Sequence, residues 1–586
     1  MMFDLTTSVT TEVPFENDNC SCPCWGGDGN VYFISDRSGS SNVWCWAPAT
    51  ATLSQLTAHT EEDVKWLSFT LGASCLAYCQ AGRLHLLPLE GGGEALPLSF
   101  KLPSDLRHSR PGFRSGGVLS ASISPTGVRA ALNVRGEVLT VPVEHGSVRN
   151  VSNSPGVNER SPAWSPNGHF IATLTYNGKD EDSALIIRPQ IASAESGEPR
   201  TISLGPHFFY SCVWSPDSRR LALVDKEMSI WIADIDAKYG GVEELHKIVS
   251  FTSDPSMGKS TETPCWSPDS QWLAYLQEGP EDGSNGGSAC YRVMLYSIET
   301  QAIVQATDGR ADVASVCWST DGKCLFYAAS SYSFGPEMYG LDMSTLERPV
   351  LRSIYSTVLS KDERLPFPPR SDDEAPAPDE EGGDKDKSKD ADAGENGVKV
   401  TIDADGLCDR TAVVPLGREG YFSNLAATDG QIFFIENDPA DPIPELGAEA
   451  AVVGALQYFD MAERTVKPYL ERVGGYEISA NGEKLLALRS GAVTVTSAKA
   501  PPSPADLGKG SLPTGDLRVA VEPAEEWAQM LAETHKLYRD LFYASNMHGV
   551  DWDAQYAKYA AYLPHCAHRV DLTGLQCDML GELSAG

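Results

Sequence analysis

No run of eighteen apolar residues occurs anywhere in the chain, so a membrane-spanning helix is excluded. The start, Met1 to Cys20, lacks both the basic and the apolar stretch of a secretory leader. Positive charge is scarce: 46 Lys and Arg stand against 80 Asp and Glu, a net charge of −34. Phosphate-rich partners need clustered cations, so neither nucleic acid nor a membrane surface is expected as a partner. Cysteine is thinly and irregularly spread, 14 in 586 residues. The one dense group, Cys20, Cys22 and Cys24, has C-x-C-x-C spacing and no second pair or histidines to complete a zinc site. Reduced thiols in a cytoplasmic protein are expected, with no metal and no cofactor.

What is present is a repeat. Ala163-Trp164-Ser165-Pro166-Asn167-Gly168 recurs as Val213-Trp214-Ser215-Pro216-Asp217-Ser218, as Cys265-Trp266-Ser267-Pro268-Asp269-Ser270 and as Cys317-Trp318-Ser319-Thr320-Asp321-Gly322. Weaker copies start at Ile123, Ala427 and Ser479. Each is followed by an apolar strand, such as Arg220 to Val224 or Trp272 to Leu276, then by a second strand and a polar turn. Pro presets φ at the first corner of the turn, and Asp, Asn and Gly tolerate the rest. Strands apolar on nearly every residue must be covered on both faces. Four-stranded blades stacked around an axis meet that demand, so the expected fold class is mainly β, a β-propeller.

The repeats count as nine units. Two leftover blades occupy 20–101, and a seven-bladed propeller occupies 102–521, with a break of no repeat character at Lys101 to Gly117. The Trp-Ser-Pro motifs read as blade turns and inter-blade packing rather than as a ligand mouth. An acidic insertion, 371–396, holds eleven carboxylates, three lysines and no strongly apolar residue. Such a stretch cannot offset its ordering entropy by burial, so a disordered surface loop is expected there.

Residues 522–586 change period. Pro523 opens a helix whose apolar stripe is Trp527, Met530, Leu531, Thr534, Leu537, Tyr538 and Leu541. A second helix runs through Tyr556, Tyr559 and Tyr562, and a third from about Val570 through Leu572, Leu575, Met579 and Leu583. A helical segment of this size buries little alone and is expected to lean on the propeller or on more chain.

Several strings carry a resemblance. Asn546-Met547-His548-Gly549-Val550-Asp551-Trp552 and Gly581-Glu582-Leu583 resemble the start of the core of tricorn-type proteases. Asp63 to Phe69, Arg135 to Pro142, Glu159 to Pro166, Val398 to Asp403 and Gly420 to Leu425 agree along the same line. The resemblance implies a cytosolic serine peptidase trimming oligopeptides, built from a six-bladed and a seven-bladed propeller, a helical domain, a PDZ domain and a catalytic α/β domain. On that plan the first two units match the last blades of the six-bladed ring, and 522–586 match the start of the core. The family's histidine would follow Gly586, and its serine and glutamate would lie further on, so no catalytic residue is placed and the chain alone is expected to be inactive. The implied partners are peptide substrates and a homo-oligomer or a chain carrying the core. The alternative is a non-catalytic propeller scaffold derived from such a peptidase.

Other candidates are weak. Gly39-Ser40-Ser41 and Gly116-Gly117 lack the G-x-S-x-G elbow. His548 sits in a string that reads as structural, and His565, Cys566 and His568 are poorly spaced for a metal.

Overall fold

The computed structural model describes residues 2–584 apart from the segments 14–17, 71–73, 91–92, 101–102, 177–182, 192–197, 237–241, 250–262, 279–290, 331–350, 369–397, 438–452 and 490–491, and residues 61, 104, 206 and 228. The acidic insertion 371–396 therefore lies outside the described residues. The chain forms two compact units, Met1–Asp105 and Leu106–Gly586.

The first unit holds two four-stranded antiparallel sheets in meander order. One is Cys20–Trp25, Val31–Ser35, Asn42–Ala47 and Thr52–Gln55; the other is Val64–Thr70, Cys75–Gln80, Arg83–Pro88 and Leu96–Pro97. Tyr32, Ile34 and Val43 from one sheet meet Val64, Leu76 and Tyr78 from the other in a shared core. These are the two leftover blades.

Seven sheets of the second unit are blades, numbered 1 to 7 in chain order, whose first strands are Val118–Ile123, Glu159–Trp164, Phe209–Trp214, Cys265–Trp266, Asp312–Trp318, Tyr421–Thr428 and Gly475–Ile478. Six are four-stranded meanders and the seventh has three strands. The repeat motif builds the hairpin between first and second strand. In blade 3 the Ser215 hydroxyl donates to Asp217 and accepts from the Arg220 N–H, while Asp217 accepts from the Arg219 N–H. The fourth corner is left-handed, φ 79° at Gly168 and 70° at Gly322. Glycine reaches that region freely. At Ser218 and Ser270 a serine holds φ 60°, and its buried hydroxyl accepts the N–H of Asn167 or Asp217 from the preceding blade.

Blade 7 closes against blade 1 without exchanging a strand. Ile123, Leu132 and Val141 share one core with Leu486, Val493 and Val495. The strand Arg518–Val521 pairs with Gly112–Ser115, not with blade 7. It contributes to closure by packing Val519 and Val521 into that shared core. In place of a fourth strand, blade 7 has a short helix, α1 (Pro504–Gly510), along its outer edge. A Cβ on Gly510 would sit 1.9 Å from the Val495 carbonyl oxygen, so only glycine permits this approach.

Helices α2 (Pro523–Leu541), α3 (Trp552–Ala560) and α4 (Arg569–Gly581) follow. Contrary to the expectation that this segment buries little alone, it has its own core of Trp527, Leu531, Met547, Trp552, Tyr559, Leu572, Met579 and Leu583.

Candidate functional site

The first strands of successive blades lie close enough to hydrogen-bond, so they line the axis. A bond spans every junction. The Trp164 N–H reaches the Ser122 hydroxyl, and the indole N–H of Trp214, Trp266 and Trp318 reaches Ala163, Val213 and Cys265 carbonyls, each at 3.1 Å. The Leu425 N–H donates to the Ser315 hydroxyl and the Tyr476 hydroxyl to the Asn424 carbonyl. Blade 7 returns to blade 1 through Glu477, whose carboxylate meets the Ile123 N–H at 2.9 Å and the Ser122 hydroxyl at 3.2 Å. Burial pushes this carboxyl up to about 7 against those two donors.

Five of these axial strands share an irregularity. Pairing with the second strand skips at Leu119, Ser161, Tyr210, Ala314 and Asn424. A bulge leaves its extra residue out of the ladder and re-aims it. Leu119 is 73% exposed and Tyr210 47% exposed, although their strands are otherwise largely covered. The same skip sets Cys22 and Trp66 outward in the first unit. The bulged positions of these strands thus form a neutral collar, a leucine, a serine, a tyrosine, an alanine and an asparagine. Charges on the same strands are engaged elsewhere: Glu159 is held by both guanidinium nitrogens of Arg188, Asp312 lies 3.8 Å from Arg352, and Arg160 stacks on Phe208.

Helix α2 lies against the rim where these strands begin. Glu526 pairs with Arg135 at 2.6 Å, Glu533 accepts from the Asn158 amide at 2.9 Å, and Asp540 accepts from the Tyr176 hydroxyl. The Lys226 ammonium donates to the Asp540 carbonyl at 2.7 Å, and Lys536 sits over the Tyr176 ring. Between rim and helix is a cleft of about 380 Å³ lined by Leu119, Asn158, Met530 and Glu533 among others.

Two of the histidines singled out from the sequence, His548 and His568, have structural work, and His565 is exposed. His548, at φ 55°, joins the Leu583 carbonyl through Nδ1 and the Tyr543 hydroxyl through Nε2, tying the N-M-H-G-V-D-W string to Gly581-Glu582-Leu583. Asp551 caps α3 and the Trp552 indole donates to the His535 carbonyl. His568 caps α4 and meets the His108 ring at 4.5 Å; Cys566 contacts the Tyr562 carbonyl. The Ser40 hydroxyl donates to the His59 carbonyl, and Gly116 and Gly117 only join two strands. Among the described residues, the group spaced to hold a metal ion is His207, Asp225 and Glu227, which sequence reading passed over; Cys20, Cys22 and Cys24 are not brought together so. Asp225 already accepts from the Glu227 and Ser229 N–H groups and the Trp231 indole, so it holds a loop. The thirteen described cysteines are free thiols, and no described helix is long and apolar enough to cross a membrane.

Comparison with known proteins gives one family. Residues 118–499 match the tricorn protease second beta propeller domain and 523–581 the tricorn protease C1 domain. Tricorn protease homolog 1 of Streptomyces coelicolor is 27% identical over 96% of this chain and 51% of its own length. A putative tricorn-like protease C-terminal subunit of Sulfurisphaera tokodaii is 20% identical over 94% of this chain and 58% of its own. The crystal structure of the tricorn protease superposes with a TM-score of 0.73 at 17% identity, over 98% of this chain and 51% of that one. The chain thus spans about half the length of the relatives it matches.

Proposed function

Because this chain belongs to the tricorn protease family, we propose that it is the substrate-gating part of a tricorn-like serine peptidase that trims oligopeptides in the cytoplasm. The observation that carries this reading is the neutral collar of Leu119, Ser161, Tyr210, Ala314 and Asn424 around the axis of blades 1 to 7. A body of net charge −34 would repel acidic peptides and retain basic ones if its charges faced the path. A wall of hydroxyl, amide, aliphatic and aromatic groups accepts an extended chain of either sign.

In this reading residues 20–101 are the last blades of a six-bladed ring, 102–521 the second ring and 522–586 the start of the core. The serine and histidine of the family mechanism belong to residues other than these, in a longer form or in a partner chain. That one relative is described as a C-terminal subunit supports a division of such a peptidase between polypeptides.

Intact-mass measurement of the protein pulled from its own cells, with its companions, tests the assignment. We expect either a species about twice as heavy as 63.2 kDa or a 63.2 kDa species with a core-bearing companion. A lone short species devoid of peptidase activity overturns it. The collar is tested apart, by anisotropy of a labelled neutral oligopeptide: Leu119→Asp with Tyr210→Asp should weaken binding about tenfold, roughly 1.4 kcal/mol.

A further inference from the structure

We infer that the cleft between the propeller rim and α2 is a subsite for a lysine or arginine side chain of an oligopeptide, with Glu533 and Gln529 holding its charged head. The inference rests on the peptide-gating reading above and adds to it a preference between peptides.

The cleft's volume of about 380 Å³ lies at the small end of the range for ligand pockets, enough for one long side chain. Its wall is apolar where blade 1 contributes Leu119 and α2 contributes Met530, and Val519 lines it too. Leu119 is the bulged residue of blade 1 and is 73% exposed, so it belongs to the collar and to the cleft at once. The methylene stems of lysine and arginine lie along such surfaces while their heads reach a polar group.

Four carboxylates line the cleft against two guanidinium groups, so it is anionic. Arg135 pairs with Glu526 at 2.6 Å, and Arg569 donates to Thr573 and Gln576 on its own helix. Glu137 accepts from Ser152 and Ser154, and Glu522 is exposed. Glu533 is different. It accepts from two neutral amides, Asn158 at 2.9 Å and Gln529, and among the described residues it enters no ion pair. Arg160 senses the Glu533 charge but stacks on Phe208 rather than bonding to it. Gln529 also lines the cleft and is only 9% exposed. Its amide nitrogen is spent on Glu533, and its carbonyl oxygen bonds to no described residue.

An ammonium carries three donors, a guanidinium five, and neither has an acceptor. Such a head satisfies the Gln529 oxygen and brings Glu533 the positive charge it lacks. A carboxylate side chain in the same place meets repulsion. The collar accepts peptides of either sign; the cleft beside it retains those with a cation.

The test is fluorescence anisotropy of the full chain with three labelled oligopeptides that differ at one central residue: lysine, norleucine or glutamate. Norleucine offers the same stem without the charge. The lysine peptide should bind about tenfold tighter than the norleucine peptide, as for a hydrogen bond to a charged group. Glu533→Gln should bring the lysine peptide down to the norleucine level. It should leave the norleucine peptide unchanged, which also shows that the variant is folded. Asp405→Asn removes a negative charge from a side chain 96% exposed outside the cleft and should keep the lysine preference. Equal binding of the lysine and norleucine peptides by the wild type overturns the subsite and leaves the gating reading standing. So does a preference that persists in Glu533→Gln, or one lost as fully in Asp405→Asn, which would make it an effect of net charge. Failure of all three peptides to bind overturns the gating reading itself, and the subsite with it.

Discussion

Tryptophan at the end of the first strand works twice. Its ring fills the space between blades, and its indole N–H donates to a carbonyl on the first strand of the preceding blade. Trp214, Trp266 and Trp318 are all below 10% exposed. Trp266→Phe should cost about 1 kcal/mol, the value of one net hydrogen bond, and Trp266→Ala about 3–5 kcal/mol through the cavity it leaves. Urea denaturation followed by intrinsic fluorescence measures both. The buried pair Glu159 and Arg188 is a second residue-scale device, with Thr173 and Ser154 hydroxyls completing the carboxylate's shell. Arg188→Met should destabilise by about 3–5 kcal/mol, because a carboxylate 0% exposed loses its cation. Adding Glu159→Gln should recover part of that loss, and a double-mutant cycle by the same denaturation reads it. Additive losses would deny the coupling.

Among the elements, α2 departs most from its sequence pattern. The apolar stripe includes Tyr538 and Leu541, which are 38% and 50% exposed, while His535 and Lys536 are buried. The helix is gripped on two sides. One face enters the helical core through Trp527 and Leu531, and another meets the propeller rim through Glu526, Glu533, Lys536 and Asp540. A two-layer fit overrides a single-stripe pattern, because polar side chains on the second face find partners on the rim. Asp540→Ala should cost about 2–3 kcal/mol of docking, the range for a hydrogen bond to a charged group. It should also speed proteolytic nicking in the connection 499–522, with the mass of the released fragment as the readout. An unchanged nicking rate would mean that the rim contacts do not hold the helix. Helix α1 was readable but went unread: Ser503-Pro504-Ala505-Asp506 is a capping box with Pro at the first turn.

For the whole molecule, the surplus of acidic groups matters more than any single pair. Some ion pairs are exposed, as with Lys361–Asp405 and Lys499–Glu483, and such pairs contribute little. A net charge of −34 makes self-repulsion the larger electrostatic effect, and salt screens it within about 10 Å. Raising NaCl from 20 to 200 mM should therefore raise the unfolding midpoint of the second unit by about 2–4 °C. Scanning calorimetry measures it, and a fall would place the surface pairs ahead of the repulsion.

The Trp-Ser-Pro repeats, with their left-handed fourth corner and doubly buried strands, determined the propeller without help from tertiary contacts, since turn chemistry and two-sided burial are local demands. The same holds for the start of α2 at Pro523 and for the family, through strings such as Asn546 to Trp552. The collar was not legible in this way. A bulge is a property of how two strands pair, and Leu119, Ser161, Tyr210, Ala314 and Asn424 share no residue type. Nor was the place of Glu477 visible, because 354 residues separate it from Ile123, and only the closing of the ring brings its carboxylate against the Ile123 N–H and the Ser122 hydroxyl.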